Sequence, residues 1–203
     1  MSTYTWPTTL TPMEMTWRYN AMNKVFRSPL NGHLQVASRP GSSLAFDMSW
    51  AFLTLQQRAE MMGFIAKLNG QEHWFQIPYY GHVNQGALGG TPVVNGAGQV
   101  GASIATSGWP NNTLVLKRGD VVSIGGEMKF ITDNATSGVS GLATLSIRPA
   151  QRIAPSNGSA IVVTDATGVF MLEDPNTLIE TNSLPRIRSG RASIAITEVV
   201  SQP

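Results

Sequence analysis

The stretch from Leu53 to Pro78, LTLQQRAEMMGFIAKLNGQEHWFQIP, constrains the fold more than any other, because its periodicity alone in the chain reads as a helix. Thr54 stands where a cap belongs, and Gln57 three residues later completes a capping box. Leu55, Ala59, Met62 and Ala66 then recur on one side at helical spacing, with Arg58 on the wet side. This stripe is expected to be buried. Gly70 stands where a left-handed residue ends a helix, and Lys67 lies in the last turn, near the negative end of the dipole. The spacing therefore predicts a helix over about 54–69. A strand over 73–77 follows, closed by Pro78. A lone helix in an otherwise alternating chain covers an open face or edge of a sheet, so the main core is expected to form around it.

Elsewhere the chain alternates, turns and alternates again. Leu44, Phe46, Met48 and Trp50 alternate with Ala45, Asp47, Ser49 and Ala51, the pattern of a half-buried strand with its aromatic side inward. Residues 1–12 read as an extended lead, 14–18 as a short strand, and 20–32 as a connection with turn signals at Ser28-Pro29 and Asn31-Gly32. Residues 33–38 alternate again. From Tyr79 to Asn112 the texture shifts to Gly, Asn and Pro. Short strands are expected at 99–106, 113–116, 120–124, 127–132 and 143–147, a small barrel or sandwich. Such a unit inserts into a loop at little entropic cost, since loop closure depends only logarithmically on length. Strands at 160–164, 168–172 and 192–200 are expected to return to the first core. The expected organisation is thus mainly β, with one domain formed by residues 1–79 plus 151–203 and a second, inserted between them, formed by 80–150. Twenty Gly and twelve Pro in 203 residues supply the turns this requires.

Composition removes several function classes. A formal charge of +2 is too small to argue for nucleic acid or an acidic membrane. The absence of cysteine excludes disulfides, thiolate metal sites and cysteine nucleophiles. MSTYTWPTTLTP has no basic region followed by an apolar run, and no apolar stretch approaches the ~20 residues of a membrane span. The protein is expected to stay in the cytosol or to leave it inside an assembly. Only 13% of its residues are charged, while five Trp, seven Phe and nine Met are present, which suggests that partners cover part of the surface.

The motifs are weak. The run 96–101, GAGQVG, matches a dinucleotide fingerprint with Asp120 about 20 residues on, but the residues after Gly101 are poor helix formers ending in Gly108 and Pro110, so a glycine-rich loop is expected. Arg118-Gly119-Asp120 between strand-like runs reads as a hairpin turn. Asn111, Asn134 and Asn157 begin glycosylation triplets that, without secretion, mean polar loops. His33, His73 and His82 share no ligand spacing, the carboxylates are dispersed, and no nucleophile elbow occurs. No catalytic, cofactor-binding or metal-ligating residue is expected, and catalysis has no positive support. The cationic run 186–191 reads as an edge strand blunted by arginine.

Several stretches together resemble the distal tail proteins, and related minor tail proteins, of bacteriophages with long non-contractile tails. They are Trp6-Pro7; Phe26-Arg27-Ser28-Pro29-Leu30-Asn31-Gly32, with Gln35 and Arg39-Pro40-Gly41; the Trp50 strand; the helix ending Phe64-Ile65-Ala66-Lys67-Leu68-Asn69-Gly70; and Trp74-Phe75-Gln76-Ile77-Pro78. In the second half they are Val94 to Gly101, Lys117-Arg118-Gly119-Asp120, and Ile147-Arg148-Pro149 with Arg152. The resemblance implies a ring-forming β-sandwich domain with a flanking helix and an outward-facing, inserted β-barrel-like domain. It implies a homo-oligomeric, six-fold virion ring that joins the tail-tube protein to the tail-tip hub or baseplate, with no membrane partner. DNA and the tape-measure protein would pass through its channel without being gripped. A ring needs a heterologous interface, with one surface of each subunit meeting a different surface of the next. The connection after Asn20 and the terminal strands are the expected contacts. The alternatives are a tail-tube or tail-terminator subunit, for which the insertion is superfluous, or a carbohydrate-binding tail module using Trp109 or Tyr79-Tyr80.

Overall fold

The computed structural model describes residues 1–38, 41–175, 180–181 and 190–199. In chain order the first part contains β1 (Thr3–Thr5), β2 (Glu14–Asn20), β3 (Asn23–Arg27), β4 (Leu34–Ser38), β5 (Ser43–Leu53), α1 (Leu55–Leu68) and β6 (Trp74–Pro78). There follow β7 (Val93–Val94), β8 (Gly101–Ser107), β9 (Leu114–Leu116), β10 (Val121–Ile124), β11 (Glu127–Ile131), β12 (Ala135–Thr136), β13 (Ala143–Gln151) and β14 (Ile161–Val162). The chain closes with β15 (Thr167–Leu172), β16 (Glu180–Thr181) and β17 (Gly190–Glu198). The protein is mainly β, with one helix among the described residues and a nearly closed barrel-like sheet.

The first sheet runs β1-β6-β15-β17-β5-β2, with β16 paired to β17. Its inner face is the predicted one: Leu44, Phe46, Met48 and Trp50 are all buried. The helix covers the Trp50 end of that face. Trp6 stacks on Trp50 at 5.7 Å and meets Phe64 of α1 edge-on at 5.1 Å, and both indoles donate to the carbonyl of Leu10, at 2.9 and 3.1 Å. The second sheet covers the Phe46 end, where Val121 and Met128 join the same apolar cluster. The layer opposite the first sheet is thus shared between a helix and barrel strands. Gly168 makes this join possible, since a Cβ there would lie 2.9 Å from that of Met128 and 2.8 Å from the Phe170 ring.

The second sheet runs β14-β10-β11-β13-β8-β7, and an antiparallel bridge from Val93 to Ala160 brings its two ends together. Ile161 donates to the Pro92 carbonyl and Val94 to that of Ser159, both at 2.9 Å. Along β13 buried and less buried residues alternate without a break, as a strand with one face in a core requires. This closure corrects the expected position of 160–164. That strand pairs with β10 rather than returning to the first core, because β10 otherwise presents an unpaired edge. The second sheet therefore runs beyond the expected boundary at 150.

The helix is built as expected at its ends. Thr54 Oγ1 accepts from the Gln57 amide at 3.2 Å, and the Gln57 side chain accepts from the Thr54 amide at 3.0 Å. Asn69 takes the left-handed conformation at the carboxyl end, and Gly70 follows it with positive φ. The expected face is overturned. Leu55, Ala59, Met62 and Ala66 are all exposed, whereas Arg58, Met61 and Leu68 are buried with Phe64 and Ile65 packed beside them. Both sides of the helix are apolar, and the sheet takes the bulkier one because larger side chains remove more surface from water.

Candidate functional site

Residues 20–32, expected to be a connection, instead begin a two-stranded ribbon. β3 pairs antiparallel with β4 in a register that sets Val25 opposite Val36 and Arg27 opposite Leu34. Ser28 and His33 close the turn through the His33 carbonyl, at 2.9 Å, and Leu30 at the tip is 96% exposed. Every residue of β3 is exposed, so neither face of the ribbon is covered by the other described residues. Val25, Phe26, Leu34 and Val36 are each about half exposed or more. A two-stranded hairpin alone is at best marginally stable in water. A projecting apolar ribbon is therefore interface material.

The patch continues along the chain that feeds it. Trp17 and Tyr19 lie on β2, the edge strand of the first sheet, and remain partly exposed although Trp17 packs against Phe130 at 5.1 Å. At the other end of the same sheet, the outward side of α1 carries Leu55, Gln56, Ala59, Met62, Gly63 and Ala66, all exposed. None is charged. Among the exposed helix residues only Lys67 is, and its ammonium lies over the Tyr4 ring, 4.0 Å from the centroid. Of the terminal strands, β1 is an edge, but β17 lies between β15 and β5 and is closed to lateral partners. The cationic run falls mostly outside the described residues. Its Arg191 is exposed at the start of β17.

Beneath the ribbon's root, four charged groups join the two sheets. Lys129 Nζ lies 2.5 Å from Glu127 Oε2 on β11, and Arg152 Nη2 lies 3.0 Å from Glu198 Oε1 on β17 and 3.4 Å from Glu127 Oε2. Arg152 also donates to the carbonyls of Ser42 and Val199, and Glu198 accepts from the Leu44 amide at 3.1 Å. The pairing balances two carboxylates against two cations. Burial pushes the Glu198 carboxyl above its ordinary value, against the pull of Lys129 and Arg152. Burial likewise pushes the Lys129 ammonium down, against the pull of Glu198 and Glu127. The two carboxylates and Lys129 are buried between the sheets, with Arg152 alone partly exposed, so the cluster's role is to fix how they sit together.

The remaining motifs resolve into structure. Gly101 opens a strand, not a helix, and Asp120 is buried, accepting from the amides of Gln85, Gly86 and Lys117 at 2.7–2.9 Å. That carboxylate holds a turn and is presented neither to a ribose nor to a receptor. Trp109 is buried, its indole donating to Thr106 Oγ1 at 2.7 Å, so it offers no ring face to a sugar. Tyr79 stacks on His82 at 5.2 Å beside a cavity of about 150 Å³ that Asn84 and Asp165 also line. Among the described residues no three His, Asp or Glu side chains stand close enough to hold a metal ion, and no helix is long and apolar enough to cross a membrane. The exposed helix stripe is the feature that sequence reasoning placed on the wrong side. Its lack of charge over an outward face was the signal that could have identified it.

Set against models of known protein families the chain matches none, and no curated protein matches it either.

Proposed function

We propose that this chain is a structural subunit of a bacteriophage tail, a ring-forming distal adaptor between the tail tube and the tail-tip hub or baseplate. The observation that carries this reading is the projecting ribbon of β3 and β4, apolar on exposed faces, whose turn end is the Phe26 to Gly32 segment, one of the stretches that carry the resemblance. A subunit with such a surface is made to be covered. The helix-flanked sheet and the barrel-like unit placed between its strands have the organisation the resemblance implies. The ring would be homo-oligomeric, with DNA and the tape-measure protein passing through its channel. A net charge of +2 gives no general grip on a polyanion. The tail tip is the corresponding location.

The test is the mass of the purified protein in solution, with negative-stain imaging, alone and with tail-tube protein added. The expected result is a ring with a central opening. A persistent monomer under both conditions defeats the reading.

A further inference from the structure

Among the described residues two separate apolar faces are left without a partner: the ribbon, and the outward stripe of α1. We infer that each is the other's partner between neighbouring copies, the ribbon of one subunit lying along Leu55, Ala59, Met62 and Ala66 of the next. This rests on the ring reading above and names the contact that would close the ring.

Three observations carry the assignment. First, the dimensions are compatible: a five-residue strand spans about 14 Å over its four steps, and fits within the eleven helical steps from Leu55 to Ala66, which span about 17 Å. Second, charge chooses between the possible pairings. Residues 20–38 contain Lys24 and Arg27 but no Asp or Glu, so two ribbons face to face would repel. The stripe of Leu55, Ala59, Met62 and Ala66 carries no charge, and the nearest exposed cation, Lys67, is turned onto the Tyr4 ring, so the stripe receives a cationic ribbon with less conflict than a second ribbon would. Third, the helix surface is shaped for close approach. Gly63 sits in mid-helix, where glycine costs stability, yet a Cβ there would touch nothing within 4 Å in the subunit. Ala59 and Ala66 keep the same surface low, with Met62 (62% exposed) as a pliable contact between them. The two faces differ, so the contact is heterologous and propagates from subunit to subunit.

The absence of cysteine permits a direct test. Val36→Cys and Met62→Cys are made singly and together, and treated with a short bismaleimide. The expected result is a ladder extending past the dimer for the double variant and no cross-link for either single one. Covalent dimers from Val36→Cys alone would show ribbon-to-ribbon pairing and overturn the inference. In parallel, Met62→Asp and Val36→Lys are each expected to fold with the wild-type melting profile and to raise the assembly midpoint concentration at least tenfold. Mixing the two should yield dimers, because only one intact ribbon and one intact helix face remain. Rings that form undiminished with Met62→Asp would overturn the inference while leaving the ring reading intact. A wild-type chain that never assembles would remove both.

Discussion

The second sheet satisfies its own surfaces and the first does not. The β7–β14 unit bends until the bridge between Val93 and Ala160 brings its ends together, and its strands bury one face in a cluster built around Ile104, Leu116, Leu145 and Ile147. Its exposed apolar residues, such as Val100 and Val162, are scattered and need no explanation. The first sheet has two open edges, a helix apolar on both sides and a ribbon that touches little of its own chain. One unit is closed, and the other leaves apolar faces open, which is where the proposed contacts between copies fall.

The comparison breaks most sharply at the core of the incomplete unit. Trp6→Ala removes an indole that touches Trp50, Phe64 and Phe75 and that shares the Leu10 carbonyl. It should cost about 3–5 kcal/mol by urea denaturation, because the indole is fully buried and fills the space between the amino-terminal lead, the helix and the sheet. At the seam, Lys129→Met leaves Glu127 and Glu198 with Arg152 alone and should cost about 3 kcal/mol or more. Because the units share Val121, Met128 and this seam, the wild type should unfold in one transition. Two separated transitions would show that they are independent.

Adjacent methionines give a finer contrast. Met61 is 2% exposed and Met62 is 62% exposed. Met61→Ala should cost about 2–5 kcal/mol, whereas Met62→Ala should stay within about 0.5 kcal/mol of the wild type in subunit stability. Equal losses would mean that the helix is rotated from the orientation described.

The smallest effect is a pH dependence at the seam. Glu198 has its folded pKa raised above 4.5 by burial, so the folded state binds its proton more tightly than the unfolded state. The stability this contributes is present in full below pH 4.5 and is lost as pH rises through the raised value. The stability of the wild type relative to Glu198→Gln should therefore fall with rising pH over that window, measured by denaturation at a series of pH values. A difference that instead grows with pH would mean that pairing to Arg152 and Lys129 outweighs burial.

Local signals made much of this fold legible. The capping box at Thr54 and Gln57, the positive φ at Gly70 and the alternation from Leu44 to Trp50 are decided within a few residues, and all appear where expected. Long-range choices were not legible. Which apolar side of α1 faces the sheet depends on Trp6, distant in sequence, and the placing of Ile161 depends on an edge left open by β10. The ribbon was hidden for another reason. Ser28-Pro29 and Asn31-Gly32 are strong turn signals, and the strands on either side bury nothing in the subunit, so their alternation carries no inside or outside. The candidate surface was legible only as a shortage of charge, a property of the whole chain that names no residue.

We propose that the open faces of the first unit are interfaces between copies of this chain. Sedimentation velocity of the purified protein over rising concentration, followed by negative-stain imaging of the largest species, tests it most directly. The account predicts one closed oligomer of fixed mass, six-fold if the resemblance holds, seen as a ring with an open centre. A single species of 21.8 kDa at every concentration, with tail-tube protein absent or present, would contradict it.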